Sequence, residues 1–143
     1  YWNRVEQAMS NPESNITQAL NAQAEVMLAA LAYPSIWDGE GGDQPILEHV
    51  TISQLPNDNR PAGISDQVYF RQGFLIVTLV SPLGDYEIVT RRKAGEIAAY
   101  FLRGQRLTAN GTELAVMGHN IRKGRQVGLR WETAIWIDYR SIS

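Results

Sequence analysis

His49 and His119 are the only histidines in this chain, and it contains no cysteine. Acid–base or metal chemistry near neutral pH would start from an imidazole. Neither histidine has a carboxylate or a second ligand at metal-binding spacing, so both read as strand-side or turn residues without a catalytic role. Asp38, Glu40 and Asp43 alternate with Gly39, Gly41 and Gly42 in a way that resembles a calcium loop. They lack the ligand spacing and the closing bidentate Glu of an EF-hand, which leaves a flexible, solvated acidic loop. The same glycines form no phosphate loop, because no Lys-Ser/Thr follows and no apolar helix opens there. Ser10, Ser14, Ser53 and Ser81 sit in no nucleophile-elbow context. Without cysteine there is no disulfide framework, zinc–thiolate site or thiol nucleophile. The residues therefore predict no enzyme activity, no cofactor and no metal.

Groups suited to contacts are more plentiful. Arg91, Arg92 and Lys93 fall in the first half of a predicted helix, where the helix dipole disfavours cations. Such a run is a solvated face or a salt-bridged contact with an acidic neighbour. Arg122, Lys123 and Arg125 flank Gly124 at a predicted hairpin tip, suited to an acidic protein surface or to phosphate. No aromatics are interleaved with them, so the nucleic-acid signal is weak. Trp136 is predicted on the polar face of the last strand, either beneath a helix or as an interface hot spot. Asn57, Asp58, Asn59 and Arg60 belong to a long polar loop at residues 55–66, rich in Pro, Asn, Asp and Gly. Loops of that length in compact domains are functional or disordered.

The elements that position these groups follow from composition and pattern. At 143 residues, 44% hydrophobic and 20% charged, the chain is expected to form a single domain with one core over 1–143. A formal charge of −2 gives no electrostatic reason to bind bare nucleic acid. No signal peptide or membrane span is visible in the sequence. Residues 1–10 read as an arm or short helix, with the core at 11–140. Asn11-Pro12-Glu13 is a good helix start, combining a cap, a proline at the first turn and an acid at the positive end. Ile16, Leu20, Ala24, Met27 and Leu31 follow at helical spacing, and Tyr33-Pro34 stops the helix.

Residues 46–53 alternate as a strand, with Ile46, Val50 and Ile52 on one side. In residues 67–84 the pattern changes partway. It alternates up to Gln72, whereas nearly every residue from Phe74 to Val80 is apolar or β-branched, so both faces should be covered. Seven residues are too few to span a bilayer, which takes about 20 in a helix. Helical spacing returns over residues 86–102 with Val89, Ala94, Ile97, Ala98 and Phe101, ended by Gly104. Leu107-Thr108, an Asn110-Gly111 turn and residues 113–117 predict a hairpin. Residues 127–140 alternate throughout, from Val127 to Tyr139 on the apolar side, as one long strand. The sum is an α+β domain, a mainly antiparallel sheet or sandwich with two helices packed on it.

Several local phrases in this order carry a resemblance. They are Tyr33-Pro34-Ser35-Ile36-Trp37, Leu55-Pro56, Arg71-Gln72-Gly73-Phe74-Leu75-Ile76-Val77, Ser81-Pro82-Leu83-Gly84, Ala99-Tyr100-Phe101 and Asp138-Tyr139-Arg140. Over residues 13–140 the chain resembles the tail terminator proteins of long-tailed bacteriophages and prophages; residues 1–10 match no part of that pattern. The resemblance implies a structural virion protein, typically a hexameric ring, that caps the tail tube, stops its polymerisation and meets the head-side connector. It implies assembly in the host cytoplasm, a place in the tail or neck, no cofactor and DNA only passing through the lumen. Partners would be further copies, the tube protein and the neck proteins. Ring contacts are then expected on sheet edges and loops, with residues 74–80 covered from within the subunit. Another neck or connector protein of the same particle is the alternative, followed by a soluble binding domain of a host protein and, distantly, a small hydrolase using His49 or His119.

Overall fold

The computed structural model describes residues 12–37, 48–56, 60–61, 69–84 and 87–142. Helix α1 runs over Pro12–Leu31, and α2 over Glu87–Ala98. The strands are β1 Ser35–Trp37, β2 His49–Pro56, β3 Arg60–Pro61, β4 Tyr69–Pro82, β5 Arg106–Ala109, β6 Thr112–Ile121, β7 Arg125–Val127 and β8 Arg130–Ile142. They form one sheet in the order β1-β2-β4-β8-β6-β5, with β3 joined to β4 and β7 to β8. Among the described strands only the β1–β2 pair is parallel. The expected α+β class and the mainly antiparallel sheet with two helices hold.

Both helices lie on one face of the sheet. Helix α1 buries Ile16, Leu20, Ala24 and Met27, the stripe read from spacing, and α2 buries Thr90, Ala94, Ile97 and Ala98. Beneath them, Val50 and Ile52 of β2, Leu75, Val77 and Leu79 of β4, and Ile135, Ile137 and Tyr139 of β8 fill the core. Burying an aliphatic side chain of this kind contributes about 1.5–3 kcal/mol. The helix ends obey local rules. Ala32 takes a left-handed φ of 58° and its amide donates to the Leu28 carbonyl at 2.8 Å, just ahead of Pro34. Asn110 and Gly111, at φ 51° and 83°, make the expected tight turn of the β5–β6 hairpin. Asn15, itself buried, donates to Thr112 at 3.0 Å and accepts from Asn110 at 3.2 Å, fixing α1 to that turn.

Several expectations are corrected. Strand β1 sits just past Tyr33-Pro34, where only a helix stop was read. Strand β2 begins at His49 and continues through Leu55 and Pro56, which pair with Phe74 and Gly73 instead of opening a loop. Arg60 and Pro61 pair with Phe70 and Tyr69. Helix α2 is shorter than residues 86–102, ending at Ala98 well before Gly104. The last strand is not continuous from Val127, because Gly128, at φ 61°, and Leu129 turn the chain between β7 and β8. The real hairpin tip is therefore there, and residues 122–124 are a connection from β6 to β7.

The largest correction concerns residues 74–80. Cover of both faces from within the subunit is incomplete, because strand β8 pairs beside β4 in the same sheet, from Phe70–Ile142 to Pro82–Arg130. Leu75, Val77 and Leu79 are buried under the helices, while Phe74, Ile76 and Thr78 on the other face are only half-buried. In-plane pairing satisfies backbone groups but adds no cover to the outer face. Residues 1–10, the Asn11 cap, the glycine-rich acidic loop at 38–43 and most of residues 55–66 lie outside the described residues.

Candidate functional site

The outer sheet face gathers residues that the sequence showed separately. Register places Ile76 beside Trp136, and Trp136 beside Asn120 of β6. One row along, Thr78 lies beside Ala134, whose carbonyl accepts the Arg122 amide at 2.8 Å. In the next, Val80 meets Glu132, which pairs with Arg125. Together these rows line a groove of about 380 Å³ bounded by Ile76, Thr78, Arg122, Lys123, Glu132 and Trp136, with Ala134 at its floor and Arg125 at its end.

The groove has an apolar floor and a basic rim. The Arg122 guanidinium lies 4.5 Å from the centre of the Trp136 ring. At an exposed site such a cation–π contact contributes about 0.5–1 kcal/mol and holds the cation in place. Phe74 meets the same indole edge-on, with centroids 5.1 Å apart and planes at 67°, a geometry that aligns the ring edge with the π face. Arg125 Nη2 stands 3.8 Å from Glu132 Oε1. Arg122 and Lys123 are exposed and make no ion pair among the described residues. Between them and Arg125, Gly124 is buried against the Trp131 indole, so close that a β-carbon there would stand 2.2 Å from Nε1. The missing side chain of Gly124 thus lets the basic connection lie flat on β8.

The other predicted residues lie elsewhere. Lys93 donates to Glu48 at 3.0 Å, and the Ser81 hydroxyl donates to the same carboxylate at 3.2 Å. Lys93 of the basic run is thus held by an ion pair within the subunit. Arg91 and Arg92 are exposed on α2, on the opposite side of the sheet from the groove. Only the backbone of Arg60 is described, in β3, and Asn57, Asp58 and Asn59 lie outside the described residues. Phe74, Ile76, Thr78, Glu132 and Ala134 were not predicted as site residues. Alternation had put Ala134 with Trp136 on the polar face, but the register that adds Ile76 and Thr78 is a tertiary fact.

Among the described residues no catalytic arrangement emerges. His49 is fully buried in β2, His119 is exposed on β6, and β4 and β8 separate them. Among the described residues no group of three or more His, Cys, Asp or Glu converges to hold a metal ion. Burial pushes the phenols of Tyr33 and Tyr139 above their ordinary value; a hydrogen bond from Gln54 partly offsets this for Tyr139. Both remain neutral packing groups.

The model of the phage tail terminator protein family matches residues 15–139. The chain belongs to this family. Membership makes it a structural protein of a phage tail and hence of the virion. No curated protein matches it significantly. One solved structure aligns at 19% identity with a TM-score of 0.69, covering 88% of this chain and 92% of its own. A chain from the virion of a native gene transfer agent particle aligns at 10% identity with a TM-score of 0.62, covering 94% of this chain and 99% of its own. At such identities the two structures show a shared fold.

Proposed function

We propose that copies of this chain close into a ring, a hexamer in the form the family resemblance implies, that caps the finished tail tube. The ring stops further tube polymerisation and presents a surface to the head-side connector, while DNA passes through its lumen without being held. The family match over residues 15–139 carries this reading. The fold is compatible with it. A ring of identical subunits uses two different patches that meet head to tail. The sheet ends in two unlike edges, parallel β1 and antiparallel β5, and edges expose unpaired backbone groups. Residues 55–66 and 120–127 are proposed as the axial contacts to tube and connector.

The test is a phage carrying a nonsense mutation in this gene, examined by electron microscopy. Overlong tails are expected. Tails of normal length detached from heads would assign the chain to the connector instead. A purified protein that stays monomeric even with tube protein would favour a soluble binding domain. Deleting residues 57–59, or replacing Arg122, Lys123 and Arg125 by Ser, is expected to impair tail-length control or head joining. If both leave these unchanged, the axial-contact assignment is lost.

A further inference from the structure

Glu25 on α1 and Arg91 and Arg92 on α2 are exposed and make no ion pair among the described residues. Their directions follow from contacts two residues away, because two residues turn about 200° around a helix. Gln23 donates to the Tyr100 carbonyl, just past α2, at 2.7 Å, so Glu25 points away from α2. Lys93 donates to Glu48, at the head of β2, at 3.0 Å, so Arg91 points away from β2 and its neighbour β1. The two helices therefore turn opposite flanks outward. Thr17, Asn21 and Glu25 are spaced four apart and share one flank of α1. Thr17 and Asn21 line a notch of about 130 Å³ beside edge strand β1, together with Trp37, Ile52, Gln54 and Leu75. On the outer flank of α2, Ile88 is 78% exposed, and Arg91 and Arg92 follow one turn later.

We infer that at each seam of the ring Ile88 of one copy enters this notch on the next, while Arg91 and Arg92 of the same helix pair with Glu25; the inference rests on the ring reading above. Spacing, size and charge agree. One helical turn separates Asn21 from Glu25, and one turn separates Ile88 from the arginines, so both contacts form together when the two helices lie alongside. The notch of about 130 Å³ is close to the cavity of about 150 Å³ that takes up a benzene ring, which leaves room for one aliphatic side chain. Trp37, Ile52 and Leu75 supply its apolar walls, the form an anchor pocket takes at an interface. Helix α1 holds no Lys or Arg, so nothing along it repels the incoming cations. A second copy must supply the knob, because the chain's own Ile88 sits on the helix flank turned away from the notch. Two unlike patches on opposite flanks join head to tail and close by rotation. Charge fixes that order, since acidic flank against acidic flank, or basic against basic, would repel.

The experiment uses three full-length variants, Ile88→Gln, Glu25→Arg and Arg91→Glu/Arg92→Glu, and a fourth that combines the last two. All four positions are exposed, and folding is checked by circular dichroism. Assembly is followed by sedimentation velocity or, where rings form only on tubes, by counting capped tube ends. Each of the first three is expected to associate at least about tenfold more weakly than wild type, through a lost anchor or through facing like charges. The combined variant is expected to regain most of the loss, because every seam again joins opposite charges. Loss of a merely structural charge would not be regained in this way. Ile88→Gln or either charge reversal assembling as well as wild type, or a combined variant that regains nothing, overturns the contact while leaving the ring reading intact. Should a reversed variant fail to fold, Glu25→Gln or Arg91→Gln/Arg92→Gln takes its place, with weaker assembly again expected and unchanged assembly overturning the contact. A wild-type protein that forms no ring, alone or with tube protein, overturns both readings.

Discussion

Gly124 gives the sharpest prediction about how the basic connection is held. Its backbone lies outside the left-handed region, so glycine is required there only for want of a side chain. A β-carbon on Gly124 would stand 2.2, 2.5 and 2.7 Å from Nε1, Cε2 and Cζ2 of Trp131. Carbon contacts are comfortable from about 3.5 Å, so the indole must withdraw by about 1 Å or the connection must lift off the sheet. Trp131 is half-buried and moves as one rigid plate. The Gly124→Ala substitution therefore behaves as overpacking, expected to cost about 1–3 kcal/mol. Urea unfolding should show a lower midpoint at unchanged slope, and the melting temperature should fall by about 2–4 °C for each kcal/mol. The decisive comparison is a double-mutant cycle with Trp131→Ala. Once the indole is gone, Gly124→Ala should be neutral or stabilise by about 0.4–1 kcal/mol, because it restricts the unfolded chain. An equal cost in both backgrounds would refute the steric account.

Three further outcomes follow from the same geometry. A Gly73→Ala β-carbon would stand 2.5 Å from the Leu55 carbonyl oxygen and 2.8 Å from the Pro56 Cα; backbone cannot swing aside as a side chain can, so the loss should reach about 3 kcal/mol or more by chemical unfolding. The Tyr139 phenol is raised above 10.0, chiefly by burial, so its contribution is complete below pH 10 and lost as pH climbs through the higher folded value. Unfolding midpoints from pH 8 to 11.5 should fall at the alkaline end, and Tyr139→Phe should flatten that fall. Lys93→Ala removes a partly exposed ion pair with Glu48 and should cost about 0.5–1 kcal/mol, with ring assembly unchanged, as read by thermal melting and sedimentation.

The sequence alone determined the features that depend on local periodicity. The α1 stripe, the Asn110-Gly111 turn and the alternation of Thr133, Ile135, Ile137 and Tyr139 are each fixed by neighbours in the chain, and each is in place. Family membership was legible too, because the phrases that carry it are local and ordered. Tertiary structure decided what those elements meet. An unbroken apolar run in β4 signalled cover on both faces, yet a strand's pattern cannot say whether the next strand lies over it or beside it. Strand β8 lies beside it, which leaves Phe74, Ile76 and Thr78 half-buried and brings Trp136 within reach of Arg122. The apolar residues on the outer face of β4 are thus the floor of a surface, and only strand register could join them to a basic connection some fifty residues away.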